Sequence, residues 1–124
     1  MKNKLIFSAE LSTMSSYQNN RRTMSLIQTL NNMNISFIKA IGSYKGSKEI
    51  SFIVSSKHIN IVLDLMNLFS QESILVLDSK DQASLRFANN NVIDLMGRMM
   101  QIESSELPEA YTIVNNKVFA VKAA

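Results

Sequence analysis

Tyr44 and Glu49 are the side chains whose types and spacing best suit work on a bound molecule. They stand in Gly42-Ser43-Tyr44-Lys45-Gly46-Ser47-Lys48-Glu49, two glycines four apart around a tyrosine, with a carboxylate opening the apolar run Ile50-Ser51-Phe52-Ile53-Val54. Glycine admits positive φ and lets a ligand approach the main chain closely. The same residue types also make an ordinary β-turn, so the stretch reads either as a turn or as a shaped loop that carries function. Two other places share this ambiguity. Gln71-Glu72-Ser73 is either a plain helix-to-strand connection or a ligand-facing junction. Asn20-Arg21-Arg22 opens a helix, where cations oppose the dipole, and is either a solvated face or a contact for a ligand or subunit.

The usual machinery of catalysis is sparse. His58 is the sole histidine and has no second ligand at metal spacing. The absence of cysteine removes thiolate metal sites, disulfides and thiol nucleophiles. The ten acidic residues are dispersed, and no Walker loop or Gly-x-Gly-x-x-Gly follows a strand. The serines lack a nucleophile-elbow pattern. No metal and no cofactor is expected.

The elements that must position these residues belong to one domain, residues 1–124. A chain of 124 residues with 46% hydrophobic and 19% charged residues buries a real core, which argues against disorder. The net charge of +3 comes from scattered lysines and arginines with no basic stripe interleaved with aromatics, so no nucleic-acid partner is expected. No apolar run approaches the roughly 18 residues of a membrane span, and the N-terminal apolar stretch is short for a signal peptide. The expected setting is the cytoplasm, without a membrane partner. Eight methionines and no tryptophan suggest an adaptable core.

In chain order, Lys4–Leu11 reads as a short buried strand and Ser12–Asn20 as a polar loop, with Asn19 or Asn20 as helix cap. From Arg21, Met24, Ile27 and Leu30 with Leu26 and Met33 keep helical spacing. Strands follow at Ser36–Ile41 and Glu49–Ser55, paired as a hairpin across a Gly42–Lys48 loop. Ser55 or Ser56 caps a second helix with Val62, Leu65, Met66 and Phe69 inward. Ser73–Asp78 is a central strand and Ser84–Ala88 another. Val92–Ile102, interrupted by Gly97, reads as a helical turn and then an extended piece. Tyr111–Val114 and Lys117–Val121 form a terminal hairpin across Asn115-Asn116. The order β-α-β-β-α-β is that of an α+β, ferredoxin-like fold, an antiparallel sheet with two helices on one face. A sheet with one bare face predicts self-association.

The Gly-x-Tyr-x-Gly-x-x-Glu stretch ties these features to a known family. It follows a strand ending in Ser8-Ala9 and a helix opening Asn20-Arg21-Arg22, and it precedes Gln71-Glu72-Ser73-Ile74-Leu75. This arrangement resembles the small phage-encoded S-adenosylmethionine lyases over roughly residues 4–103. The resemblance implies a ferredoxin-like core of the trimeric signalling-protein type, with active sites between neighbouring subunits of a homo-oligomer. It implies S-adenosylmethionine as substrate, homoserine lactone and methylthioadenosine as products, and a role in depleting the methyl donor against host restriction. Tyr44 and Glu49 match the family's substrate-holding tyrosine and glutamate. Ser8, Gly42, Ser43, Gly46 and Gln71 follow as substrate-binding positions. In this reaction the substrate's own carboxylate attacks its γ-carbon, so a shortage of catalytic side chains is expected. The alternative is a non-catalytic oligomeric sensor that binds an adenine nucleotide or similar effector between subunits.

Overall fold

The computed structural model describes residues 1–123. Their elements are β1 (Lys4–Ser8), α1 (Ser16–Asn32), β2 (Ile38–Tyr44), β3 (Ser47–Ser55), α2 (Ile59–Leu68), β4 (Ser73–Leu77), β5 (Gln82–Phe87), β6 (Val92–Ile102), β7 (Ala110–Val114) and β8 (Lys117–Ala123), with 3-10 turns at Ser56–His58 and Ser104–Glu106. Every strand pairing is antiparallel, and the order β1-β3-β2-β7-β8-β6-β5-β4 closes on itself through the β1–β4 pairing. The fold is an eight-stranded antiparallel barrel carrying two helices. The open ferredoxin-like sheet expected from the element order is therefore wrong.

The last third of the chain causes the difference. Strands β6, β7 and β8 bridge from the edge of β5 back to the edge of β2, and closure removes both free edges of the sheet. The segment expected to begin as a helical turn is an eleven-residue strand. Its pairing with β5 jumps from Ser84↔Asp94 to Gln82↔Arg98, a bulge that gives β6 two extra residues. Within it Met96 has φ 56°, and its N–H donates to Asp94 Oδ1 at 2.7 Å. Gly97 then permits the close approach of β8, because a Cβ there would lie 2.3 Å from the Lys122 carbonyl oxygen.

The barrel interior holds one core, with Ile6, Ala40, Ile53, Leu77, Ala83, Met99 and Val114 buried. A second core lies outside the barrel, where Leu26 and Leu30 of α1 and Val62, Leu65 and Met66 of α2 cover Leu5, Phe7, Phe52, Val54 and Ile74. Strands β1 and β3 are thus buried on both faces, the physical reason that Leu5-Ile6-Phe7 and Phe52-Ile53-Val54 are unbroken apolar runs. The sheet face expected to be bare is the filled interior of the barrel, so the inference of self-association from an uncovered face fails. No helix of the described residues is long and apolar enough to cross a membrane.

Two hairpins show how local chemistry fixes register. Asn115 and Asn116 (φ 50° and 65°) join β7 to β8, and Lys45 and Gly46 (φ 50° and 81°) join β2 to β3. Positive φ at both central residues is the primed turn whose twist matches the flanking strands. The expected seven-residue Gly42–Lys48 loop is thus a two-residue turn, with Gly42, Ser43 and Tyr44 inside β2. The first helix also starts earlier than expected. Ser15, rather than Asn19 or Asn20, is its cap, with Ser15 Oγ accepting from Gln18 N–H and Gln18 Oε1 accepting from Ser15 N–H.

Candidate functional site

A cleft of about 410 Å³ opens between the N-terminal half of α1, the β1–α1 connection and the first residues of β3. Its charged side chains are Glu10, Glu49 and Lys48, and neutral polar groups come from Asn19, Asn20 and Thr23. The β1–α1 connection is rigid because side chains anchor three successive carbonyls. Arg22 Nε donates to Ala9 O at 2.7 Å, Gln71 Nε2 donates to Glu10 O at 2.9 Å, and Asn19 Nδ2 donates to Leu11 O at 2.9 Å. Asn19 Oδ1 also accepts from Leu11 N–H at 2.9 Å, so one amide side chain pairs with both polar groups of one residue. Arg22 donates in addition to Phe69 O and packs over the Phe69 ring, fastening α1 to the end of α2.

Beyond the end of β1, side chains take over the ladder. Ser8 Oγ donates to Ile50 O at 2.8 Å and accepts from Glu10 N–H at 3.0 Å. Glu10 Oε2 accepts from Ile50 N–H at 2.6 Å, a short, charge-assisted bond. Both backbone groups of Ile50 are thereby satisfied on the side where β1 has ended, while β2 flanks it on the other. Glu10 is consequently locked onto the amide next in the chain to Glu49, and the two acids share one cleft.

Glu49 lies opposite Gly42 in the β2–β3 pairing. A Cβ at Gly42 would sit 3.0 Å from Ser51 Oγ, a tight contact, and 3.8 Å from Glu49 Cγ, an ordinary one, so this glycine chiefly accommodates the Ser51 hydroxyl. Glu49 is exposed at the cleft mouth, yet enough protein crowds its carboxyl for desolvation to raise its pKa above the usual carboxylate value of 4.5, and the negative charge of Glu10 raises it further.

The other expected site residues fall elsewhere. Ser8 is buried with its hydroxyl bonded to the Ile50 carbonyl, and Gln71 Nε2 bonds the Glu10 carbonyl. Ser43 is buried in β2 with no hydrogen-bond partner for Oγ among the described residues, and it does not line the cleft. Gly46 is the turn tip, with open space around it. Tyr44 stands outside the cleft, 56% exposed, with Lys45 Nζ 5.2 Å from its ring centroid. Of Asn20-Arg21-Arg22, Asn20 lines the cleft, Arg21 stacks outward over Tyr17, and Arg22 is the internal anchor.

Glu10, Asn19 and Thr23 are cleft residues that sequence reasoning did not single out. The available signal was Glu10 itself, an acid directly after the buried run Leu5–Ala9, where a carboxylate needs partners at once. Among the described residues no three His, Cys, Asp or Glu side chains gather as a metal site. The cleft offers two carboxylates against one ammonium. It is equipped to hold a cationic or zwitterionic molecule and orient it.

Compared with known proteins, the chain matches the model of the S-Adenosylmethionine lyase family across residues 5–122. No curated protein matches it.

Proposed function

The chain belongs to the S-adenosylmethionine lyase family, and on that footing we propose that it converts S-adenosylmethionine to L-homoserine lactone and methylthioadenosine in the cleft around Glu49. The observation that carries this reading is the charge of the cleft, Glu10 and Glu49 against Lys48. S-adenosylmethionine has the complementary set, a sulfonium and an ammonium against one carboxylate.

The chemistry needs little from the protein beyond this. A carboxylate oxygen of the substrate attacks its own γ-carbon as the γ-carbon–sulfur bond breaks. The bonding pair leaves on sulfur, giving a neutral thioether, and the carboxylate becomes a lactone. No proton moves, so no general acid or base is required. Folding the methionine chain into a near-attack geometry supplies on the order of 7–11 kcal/mol. Two opposite charges disappear along the way, and a site that hydrates them poorly favours their loss. A carboxylate beside the sulfonium would stabilise the starting charge. A carboxylate on the ammonium, whose charge persists, does not oppose the reaction.

The enzyme works, in this proposal, as a homo-oligomer, a trimer with sites between subunits. Tyr44, exposed outside the cleft of its own chain, is then the side chain available to a neighbour's cleft, where its ring would face the sulfonium or adenine. Consumption of the methyl donor would blunt methylation-dependent restriction. Incubation with S-adenosylmethionine, followed by chromatography for methylthioadenosine and homoserine lactone, tests the activity. Absence of both products, with the fold intact by circular dichroism, would sink it, and binding of an adenine compound without turnover would favour a sensor. Light scattering tests the trimer, which a monomer mass at micromolar concentration excludes.

A further inference from the structure

Thr23 and Thr29 lie on the same helix and treat their hydroxyls differently. Thr29 Oγ1 donates to the Ser25 carbonyl one turn back, at 2.9 Å, the usual outlet for a helical threonine. Thr23 is 3% exposed, and its Oγ1 has no partner among the described residues. A buried hydroxyl is normally satisfied, and this one belongs to the wall of the cleft that holds Glu10 and Glu49. Glu10 spends one carboxylate oxygen on Ile50 N–H.

We propose that Glu10, Glu49 and Thr23 form a cradle for a primary ammonium, with Glu10 and Thr23 as positioning residues that fix the amine end of the substrate. An ammonium has three donors and no acceptor, and the cleft sets against it two carboxylates and one unpartnered hydroxyl. The carboxylates balance its charge, and the hydroxyl oxygen gains the bond that the helix does not give it. A neutral donor would leave two neighbouring carboxylates with only Lys48 in the cleft to offset them. The ammonium keeps its charge from substrate to product, so the cradle binds ground and transition states alike and acts on KM rather than kcat. It thereby selects sulfonium nucleosides that carry an amine. This inference rests on the lyase reading for the identity of the amine, and the test separates the two.

Decarboxylated S-adenosylmethionine keeps the amine but has no carboxylate with which to attack itself. Its counterpart with hydrogen in place of the amine is equally inert. Calorimetry with these two probes measures amine selectivity without turnover. The wild type should prefer the amine-bearing probe by at least roughly tenfold, as charged hydrogen bonds imply. Glu10→Gln keeps an acceptor for Ile50 N–H and should weaken the amine-bearing probe by roughly ten- to a hundredfold. Thr23→Val should weaken it by about three- to tenfold, and Thr23→Ser should restore much of that loss. Affinity for the amine-free probe should change less than about twofold in all three variants, on the same hydrogen-bond reasoning. With S-adenosylmethionine itself, KM should rise and kcat hold. A wild type indifferent to the amine, or variants that lose both probes equally, overturns the cradle. Amine-selective binding without methylthioadenosine formation supports the cradle and rejects the lyase reading, whereas turnover with no amine selectivity does the reverse.

Discussion

Replacing Thr23 by valine should make the empty protein more stable than the wild type, and bound ligand should cut or reverse that advantage. The exchange puts a methyl group where the hydroxyl is, with nearly the same shape and the same β-branching, so the packing of α1 against its neighbours is retained. What changes is a buried oxygen without a partner. Leaving such a group unpaired costs roughly 1–3 kcal/mol, partly recovered by any water that reaches the cleft, so a gain of about 1 kcal/mol is expected on removal. For a chain of this size that corresponds to a rise in Tm of about 3–5 °C. With the inert decarboxylated substrate present, ligand binding adds RT ln(1 + [L]/Kd) to stability. A three- to tenfold weaker Kd removes about 0.7–1.4 kcal/mol of that increment at saturating ligand, which cancels most of the gain at the lower end and reverses the order of the two proteins at the upper end. Thermal melts with and without the probe measure both terms. A variant less stable than wild type when empty would show that the hydroxyl is satisfied, and an unchanged ligand increment would remove Thr23 from the site.

Three other outcomes follow from the geometry. Glu49 binds its proton more tightly folded than unfolded, because its pKa is raised by desolvation and then by Glu10. Its effect on stability is therefore least adverse at low pH and worsens as pH rises from about 4.5 through its folded pKa. The Tm difference between Glu49→Gln and wild type should thus grow in favour of the variant across that window while KM for S-adenosylmethionine rises, and a pH-independent difference would contradict the argument. Arg22→Met keeps an apolar stem over Phe69 but loses the guanidinium bonds to the Ala9 and Phe69 carbonyls. Urea unfolding should show a loss of roughly 2–4 kcal/mol, and a loss below about 0.5 kcal/mol would show that solvent replaces those bonds. Gly97→Ala sets a methyl group against the Lys122 carbonyl and should lower stability by at least about 2 kcal/mol by forcing β6 from β8; an unchanged Tm would mean that the bulge absorbs it.

Much of the chain was legible locally. The terminal hairpin across Asn115-Asn116 was readable because asparagine tolerates the positive φ that a two-residue turn demands. The order of the first strands and helices followed from apolar periodicity, and Glu49 stood out beside two glycines. The capping box Ser15-x-x-Gln18 was equally visible in principle, but the surrounding Ser and Asn residues favoured a loop reading, and α1 was started too late. Tyr44 was misjudged as a loop residue because Gly42 suggested flexibility, whereas Gly42 is a strand residue packed closely against the Ser51 hydroxyl.

The sequence by itself determined the main buried apolar runs and the terminal hairpin turn, because propensity, period and residue type are local properties. Closure of the barrel was decided only in three dimensions. The β6 segment supports helix and strand alike until β5 and β8 supply partners for its backbone, and no local pattern encodes that pairing. Tertiary structure likewise gave Ser8 and Gln71 hydrogen bonds to the backbone around Glu10 and Ile50, and it set Glu10 beside Glu49, some forty residues apart in the chain. It also gave Thr23 its significance. Two threonines of one helix look alike in sequence, and only the packing around each decides which hydroxyl is spent on the backbone and which is left without a partner.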